Sequence, residues 1–471
     1  MCGRENLTSS QTLNPTSFYF KSMSRPFTRR RFIGTSAMAG IGAGLVASNT
    51  AKAENKTTVG KPAILGGTKT RTTAFPGWPQ FDARDDQALL QALHSGKWGR
   101  LIGQNVVSFE KAFADVAKAK HCVATSSGTT ALLTMLGALG IGPGDEVILP
   151  PYTFIATYNA IVFHYALPMF VDTDPESFQI DARKIGAAVN GQTKAILPVH
   201  IGGSTPDMDA ILATANARKI PLIEDACQAH LAEWRGRVVG NAGLAGCFSF
   251  QASKNLTAGE GGAIITNDEE FAHRCYNFHN HGHGQMVAGQ NMSGERGANF
   301  RMTEFQGGLL LAQLTRLADQ AKTRDENASC LTKLLSEIPG IRLARSPDGC
   351  TRSSHHLFMF RYEKEQFADL PRAKFMKALI AEGVPCSSGY LPLNTDSYVK
   401  GLANNPHYQK IYGKETMAKW QERNQCPVND KLCAEAVWFT QTTLLGSRTD
   451  MEQIAEAIRK IQAHAGDVAK V

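Results

Sequence analysis

Between residues 121 and 266 the chain alternates short apolar runs with helix-like stretches, and this alternation restricts the fold more than any other feature. The runs at 146–149, 167–171, 195–199 and 221–223 are too short for buried helices and are apolar at nearly every position. Between them, 157–163, 182–189 and 208–218 carry helical spacing. Continuous rather than alternating apolar character is what a strand covered on both faces requires. The pattern therefore predicts an α/β domain, a mainly parallel sheet with helices on both sides.

Upstream, 61–67 and 75–79 are turn and extended signals, 85–93 is helix-like, 95–100 breaks it, and 107–119 is a second helix. Downstream, 301–335 is strongly helical, with Phe305, Leu309, Leu310, Leu314 and Leu317 on an apolar face. The pattern then changes to strands near 341–343, 356–362 and 437–439 with helices at 372–382 and 450–463, which predicts a smaller α+β domain. With 471 residues, 43% of them hydrophobic, the chain can fill more than one core. The expected division is 1–53 as a leader, 54–320 as the large domain and 321–471 as the small one. There are no internal repeats and no low-complexity linker.

Three segments carry candidate chemistry. In 247–268, strand-like runs at 247–250 and 263–266 flank Lys254 and the turn Gly259-Glu260-Gly261-Gly262. A lysine so placed is partly desolvated, which lowers its pKa and makes its amine a usable nucleophile toward an aldehyde cofactor. Taken alone, a lysine is more often a solvated surface charge. In 221–230, Asp225 follows a buried run and so stands at the carboxyl end of a parallel strand, where open α/β sheets bind ligands. There it serves either as a helix cap or as a partner for a protonated pyridine nitrogen. In 125–132, Thr125-Ser126-Ser127-Gly128-Thr129-Thr130 leads straight into a helix. Its free N–H groups suit a phosphate monoester, and it lacks the lysine and spacing of a nucleotide-binding P-loop.

The order S-G-T-T-A-L, P-Y-T-F-I-A-T, E-D-A-C-Q-A-H, F-S-F-x3-K with G-E-G-G, and G-A-N-F-R-M-T-E-F-Q resembles the DegT/DnrJ/EryC1/StrS family of pyridoxal-phosphate aminotransferases, over 61–461. The resemblance implies fold-type I, with a seven-stranded large domain and a small C-terminal domain, and pyridoxal 5'-phosphate as cofactor. It implies that Lys254 forms the aldimine, Asp225 binds the pyridine nitrogen, Phe154 stacks on the ring and Gln228 faces its phenolic oxygen. Ser249 and the turn Gly128-Thr129-Thr130 would hold the phosphate, and Asn299 would lie near the cofactor of a neighbouring subunit in a homodimer.

The formal charge of +8 is concentrated at the start of the chain. Residues 1–53 hold seven basic residues and one acidic, a net of +6, so +2 remains for the rest and nothing argues for nucleic-acid binding. Arg29-Arg30-Arg31 precedes an apolar run at 33–47 and the small-x-small site Ala51-Lys52-Ala53, the order of a twin-arginine export signal. Counted from Met23, that leader has a more usual length. Export of a folded protein to an extracytoplasmic compartment is the expectation, and cytoplasmic residence the alternative. Beyond Cys2, nine cysteines remain, an odd number that cannot all pair within one chain. His279, His281 and His283 alternate without metal-type spacing, and no metal is expected.

For the substrate, Gly66-Gly67, Trp78-Pro79, 95–98 and 436–446 resemble the cyclitol branch of the family, the scyllo-inosose aminotransferases, and in part 3-amino-5-hydroxybenzoate synthase. Gly389-Tyr390-Leu391-Pro392-Leu393 departs from the His-Tyr pair of many nucleotide-sugar aminotransferases and makes Tyr390 a candidate substrate-side residue. The expected reaction is ping-pong transamination from glutamate or glutamine to a ketone on a cyclitol or sugar-like ring, with Lys254 as acid and base. A related dehydratase would carry histidine at the lysine position. A nucleotide-linked keto-sugar aminotransferase or an aminohydroxybenzoate-synthase-like enzyme is the alternative, and a non-catalytic cofactor-binding sensor on the same scaffold the more remote one.

Overall fold

The computed structural model describes residues 60–471 apart from 285, 288, 289 and 292–295, so the leader and its cleavage site lie outside the described residues. Seven strands form the main layer: β1 (His121–Thr125), β2 (Glu146–Leu149), β3 (Leu167–Phe170), β4 (Thr193–Ile196), β5 (Ile223–Asp225), β6 (Ala245–Ser249) and β7 (Gly262–Thr266). A four-stranded group ordered β1-β7-β6-β5 and a three-stranded group ordered β4-β2-β3 are joined by parallel bridges Ile196–Leu222 and Val199–Asp225. Only β7 runs antiparallel to its neighbours.

Successive residues of these strands enter different cores. Val123, Cys247 and Ile264 pack with the helices Gly128–Ala138 and Met208–Arg218, while Ala124, Phe248 and Ile265 pack with Asn105–Ala117 and the start of Glu304–Ser336. The period of two along a strand, with both faces covered, is the reason the runs read as apolar at every position. Two expected runs are displaced: 195–199 becomes β4 at Thr193–Ile196, and 221–223 becomes β5 at Ile223–Asp225. Proline explains both, since Pro198 and Pro221 have no N–H for the ladder and leave isolated bridges where strand was expected.

The second sheet is antiparallel, β8 (Ile341–Leu343), β9 (Leu357–Tyr362) and β10 (Ala436–Thr440), in that order. Phe360, Phe375 and Ile458 share its core with helices Arg372–Ala381 and Arg448–Ala463. The boundary expected at 320 falls inside the continuous helix Glu304–Ser336, and the described residues belong to one compact unit. The sequence reading passed over the helices Ser397–Gly401, Pro406–Tyr412, Lys414–Arg423 and Pro427–Glu435. Within Lys414–Arg423 only Met417 and Trp420 are large and apolar and buried, too sparse a stripe to stand out. That helix covers the sheet edge at β3. Trp420 Nε1 donates to the Pro168 carbonyl at 2.8 Å, Asn424 Oδ1 accepts from the Phe170 N–H at 2.6 Å, and Trp420 and Met417 join the first core. Among the described residues no helix is long and apolar enough to cross a membrane.

The N-terminal arm is anchored rather than loose. Glu382 accepts from the N–H groups of Ala63 and Thr70, both at 2.7 Å, and from Lys460 Nζ at 3.0 Å. The arm thereby delivers Trp78, whose Nε1 donates to the Ala252 carbonyl at 2.9 Å, to the lysine-bearing turn.

Glu224, one residue before Asp225, points the opposite way into the core. Its carboxylate is fully buried and accepts from His200 Nε2, Gly240 N, Ala242 N and Gly243 N, each at 2.8 Å. Burial pushes its pKa up, but the bonds from His200 and from the backbone more than offset this and hold it below the ordinary carboxylate range. A depressed folded-state pKa gives stability that is complete above the unfolded value, about 4.3, and fades as pH falls through the folded one. Glu224→Gln should therefore lower the unfolding free energy by about 3 kcal/mol at neutral pH. The gap to the parent should narrow as pH falls below about 4, measured by urea titration. A gap that stays constant down to pH 3 would refute the assignment.

Candidate active site

Where β5 ends, the chain turns from the sheet into a cavity of about 730 Å³. Gly128, Thr129, Phe154, Asp225, Gln228, Ser249, Lys254 and Tyr390 all line it. These residues come from segments up to 262 positions apart, which the crossovers of the sheet bring to one end.

Asp225 is buried and oriented. Its Oδ2 accepts from Thr157 Oγ1 at 2.8 Å and its Oδ1 from the Cys227 N–H at 3.1 Å. Lys254 lies in the turn after β6, its N–H donating to the Gln251 carbonyl at 2.8 Å. Burial pulls the pKa of its ammonium below the ordinary lysine value, with Cys227 and the Asp225 carboxylate pulling weakly the other way. The amine is thus more readily neutral than a surface lysine, as its surroundings in sequence implied.

The turn before Gly128–Ala138 is closed by a capping box. Ser127 Oγ accepts from the Thr130 N–H at 3.1 Å, and Thr130 Oγ1 accepts from the Ser127 N–H at 2.9 Å. Thr130 is engaged in the cap and does not line the cavity, unlike Gly128 and Thr129, whose N–H groups belong to the first turn and have no intrahelical acceptor. The helix start approaches β6 closely. A Cβ on Gly128 would sit 2.7 Å from Ser249 Cβ and 2.9 Å from Cys227 Sγ, and one on Gly262 would sit 2.3 Å from the Ser127 carbonyl oxygen. Two missing side chains leave a cradle between a positive helix end and a serine hydroxyl, suited to a dianionic monoester.

Phe154 stands just before helix Ile155–Phe163 and exposes 58% of its surface, an unusual fraction for a large aromatic ring at a cavity wall. Opposite chemistry holds Gln228: its Nε2 donates to Tyr390 Oη at 2.8 Å and its Oε1 accepts from the Gly202 N–H at 2.8 Å. Tyr390 is wedged between Tyr152 and Trp438, with ring centroids at 5.4 and 4.9 Å, and burial pushes its pKa up to about 12. The tyrosine is thus both at the site and packed between sheet and C-terminal strands.

Asn299 is exposed and does not reach this cavity; it bridges Asn280 on the backbone, and its Oδ1 accepts from the Arg301 N–H at 3.4 Å. The alternating histidines do not converge either. His279 is buried and its Nδ1 faces the Tyr276 carbonyl, with its pKa brought down to about 3 by burial, whereas His281 is exposed. Sequence reasoning missed Thr157, Trp78, His356 and Trp438 as wall residues. Thr157 lay within P-Y-T-F-I-A-T, but nothing in its spacing marks it as the partner of Asp225. His356 hydrogen-bonds through Nδ1 with Asn255 Oδ1 at 3.1 Å, and burial holds it well below the usual histidine range.

Residues 79–459 match the DegT/DnrJ/EryC1/StrS aminotransferase family. The chain is 36% identical over 423 residues to the L-glutamine:2-deoxy-scyllo-inosose aminotransferase of Streptoalloteichus tenebrarius, spanning 86% of this chain and 98% of that one. It is 34% identical over 393 residues to the 3-amino-5-hydroxybenzoate synthase of Amycolatopsis mediterranei, spanning 83% and 98%. Among solved structures, that of 3-amino-5-hydroxybenzoic acid synthase superposes with a TM-score of 0.73 at 32% identity, covering 85% of this chain and all of the other. The fold is accordingly fold-type I, with the seven-strand layer and the helices on both faces that the sequence predicted. On both its sequence and its architecture, this chain belongs to the DegT/DnrJ/EryC1/StrS aminotransferase family.

Proposed function

We propose that this chain is a pyridoxal 5'-phosphate-dependent aminotransferase that moves an amino group from glutamine or glutamate to a ketone on a cyclitol or sugar-like ring. The observation that carries the reading is the convergence of Lys254, Asp225, Ser249 and the Gly128–Thr129 helix start on one cavity. These residues fit the cofactor: the glycine-made cradle suits its phosphate, the oriented Asp225 carboxylate suits a protonated ring nitrogen, and the exposed face of Phe154 suits its ring. When bound, the cofactor supplies a carbonyl for the amine and an electron sink for the carbanion.

This chain's own residues do the rest. Thr157 and the Cys227 N–H fix the Asp225 carboxylate, so it meets a cationic ring nitrogen without reorganising. Lys254, neutral more often than a surface lysine, removes a proton from the donor carbon and returns one to the acceptor side. Gln228 and Tyr390, tied to each other, present one hydrogen-bonding edge to the substrate. Trp78 and Trp438 exclude water at the cavity wall.

The scyllo-inosose relatives support a polyol ketone as acceptor and glutamine as donor. A second reading, an aminohydroxybenzoate-synthase-like reaction, is supported by the likeness to that enzyme in sequence and in structure. We also propose a homodimer. A run of exposed apolar side chains, Leu90, Leu93, Trp98, Leu101, Ile102 and Val107, favours it, and Asn299, exposed on its own subunit, is free to approach the neighbour's cofactor. Export through the leader at 1–53 is a further part of the proposal, supported by the order of its arginines, apolar run and small-residue site.

The purified full-length chain should show a visible cofactor band that glutamine or glutamate bleaches to the amine form in the absence of acceptor. Lys254→Ala should abolish the conversion and lower turnover by about 10²–10⁴-fold or more. A band that neither donor alters would refute transamination. In cells, replacing Arg29 and Arg30 by lysine should retain the protein in the cytoplasm on fractionation, and unchanged export would refute the twin-arginine route.

A further inference from the structure

The floor of the cavity holds an arrangement that transamination does not use. Cys227 and Cys247 are free thiols with Sγ atoms 3.8 Å apart, and Cys247 Sγ is 4.0 Å from Asp225 Oδ1. All three donor atoms lie within 4.8 Å of one another. Among the described residues no other group of three or more such donors converges in this way.

The fold accounts for the triangle. Asp225 and Cys247 are in register on the parallel neighbours β5 and β6. The chain then turns back, with the Ala226 N–H on the Cys247 carbonyl at 2.9 Å and the Cys227 N–H on Asp225 Oδ1, so Cys227 returns over the same spot.

The dimensions are those of a tetrahedral thiolate site. Two metal–sulfur bonds of about 2.3 Å at the tetrahedral angle put the sulfurs ~3.8 Å apart, and a metal–oxygen bond of about 2.1 Å beside one of them puts oxygen and sulfur ~3.6 Å apart. The Sγ–Sγ edge matches at 3.8 Å, the Cys247 Sγ–Asp225 Oδ1 edge is longer by a few tenths of an ångström at 4.0 Å, and the remaining edge is no longer than 4.8 Å. Cys227 borders the cavity, which leaves the fourth position to water. Two thiolates and a carboxylate around a divalent cation leave one negative charge, and the Lys254 amine is the neighbouring basic group.

We propose that the cofactor-free chain binds one soft divalent cation of the zinc type through Asp225, Cys227 and Cys247, and that this cation and the cofactor exclude each other because both require Asp225. Two sulfur–metal bonds and one oxygen–metal bond form, the two thiol protons leave to solvent, and nothing is oxidised or reduced. The metal site rests on its own geometry; the exclusion rests also on the function proposed above.

The test is titration of the reduced, cofactor-free full-length chain with cadmium, followed by its ultraviolet thiolate charge-transfer band. One equivalent should bind. Cys227→Ser and Cys247→Ser should each weaken binding by about 10–100-fold or more, whereas Cys426→Ser, at a buried thiol elsewhere, should leave it unchanged. Equal melting curves will show that the variants fold, with Cys247→Ala as the second variant if the serine form does not. Prior addition of pyridoxal 5'-phosphate should suppress the band. A band that survives in the Cys227→Ser and Cys247→Ser double variant overturns the metal site. A cysteine-dependent band formed beside fully bound cofactor overturns the exclusion and leaves the function intact. Cadmium binding in a chain that never takes up cofactor overturns the exclusion and the proposed function together, while the metal site stands.

Discussion

Two adjacent carboxylates at the end of β5 face opposite ways, and the site depends on that opposition. Glu224 is turned into the core, where three backbone N–H groups and His200 satisfy it and bind the 240–243 loop to the strand. Asp225 is turned into the cavity, held by Thr157 and Cys227. Because strand side chains alternate, anchoring one fixes the aim of the other. A buried charge that lost these partners would be costly, so the bonds to Glu224 hold the cavity end of the sheet in place.

The second constraint is close approach. Helix Gly128–Ala138 begins almost in contact with β6 and β7, which only glycine at 128 and 262 permits. This approach sets the helix N-terminus beside Ser249 and places both within reach of the turn that carries Lys254. Desolvation of that turn shifts the lysine toward its neutral form, so one set of close contacts shapes both the helix start at Gly128 and the surroundings of the amine. The N-terminal arm, tied down by Glu382, and the C-terminal strand bearing Trp438 complete the wall.

Much of this was legible in the residues. Continuous apolar runs announced a sheet covered on both faces, and the carboxyl-end position of Asp225 followed from the run before it. What escaped was set by tertiary contact. The prolines at 198 and 221 moved strand boundaries by their missing N–H groups, which apolar counting does not register. The helix Lys414–Arg423 is polar by composition, and its two buried residues acquire meaning only against the edge of β3. Thr130, expected beside Gly128 at the phosphate, shares a capping box with Ser127, a local pairing that the S-G-T-T spacing does not announce. The Cys227–Cys247 contact was invisible because register between strands, not spacing along the chain, creates it.

The central claim is that the amine of Lys254 is the group joined to the cofactor. Borohydride reduction of the cofactor-loaded full-length chain, followed by proteolysis and mass spectrometry, tests it most directly. The account predicts a single pyridoxyl-phosphate adduct on the peptide containing Lys254. An adduct on another lysine, or a peptide at Lys254 that remains unmodified while cofactor is fully bound, would contradict it.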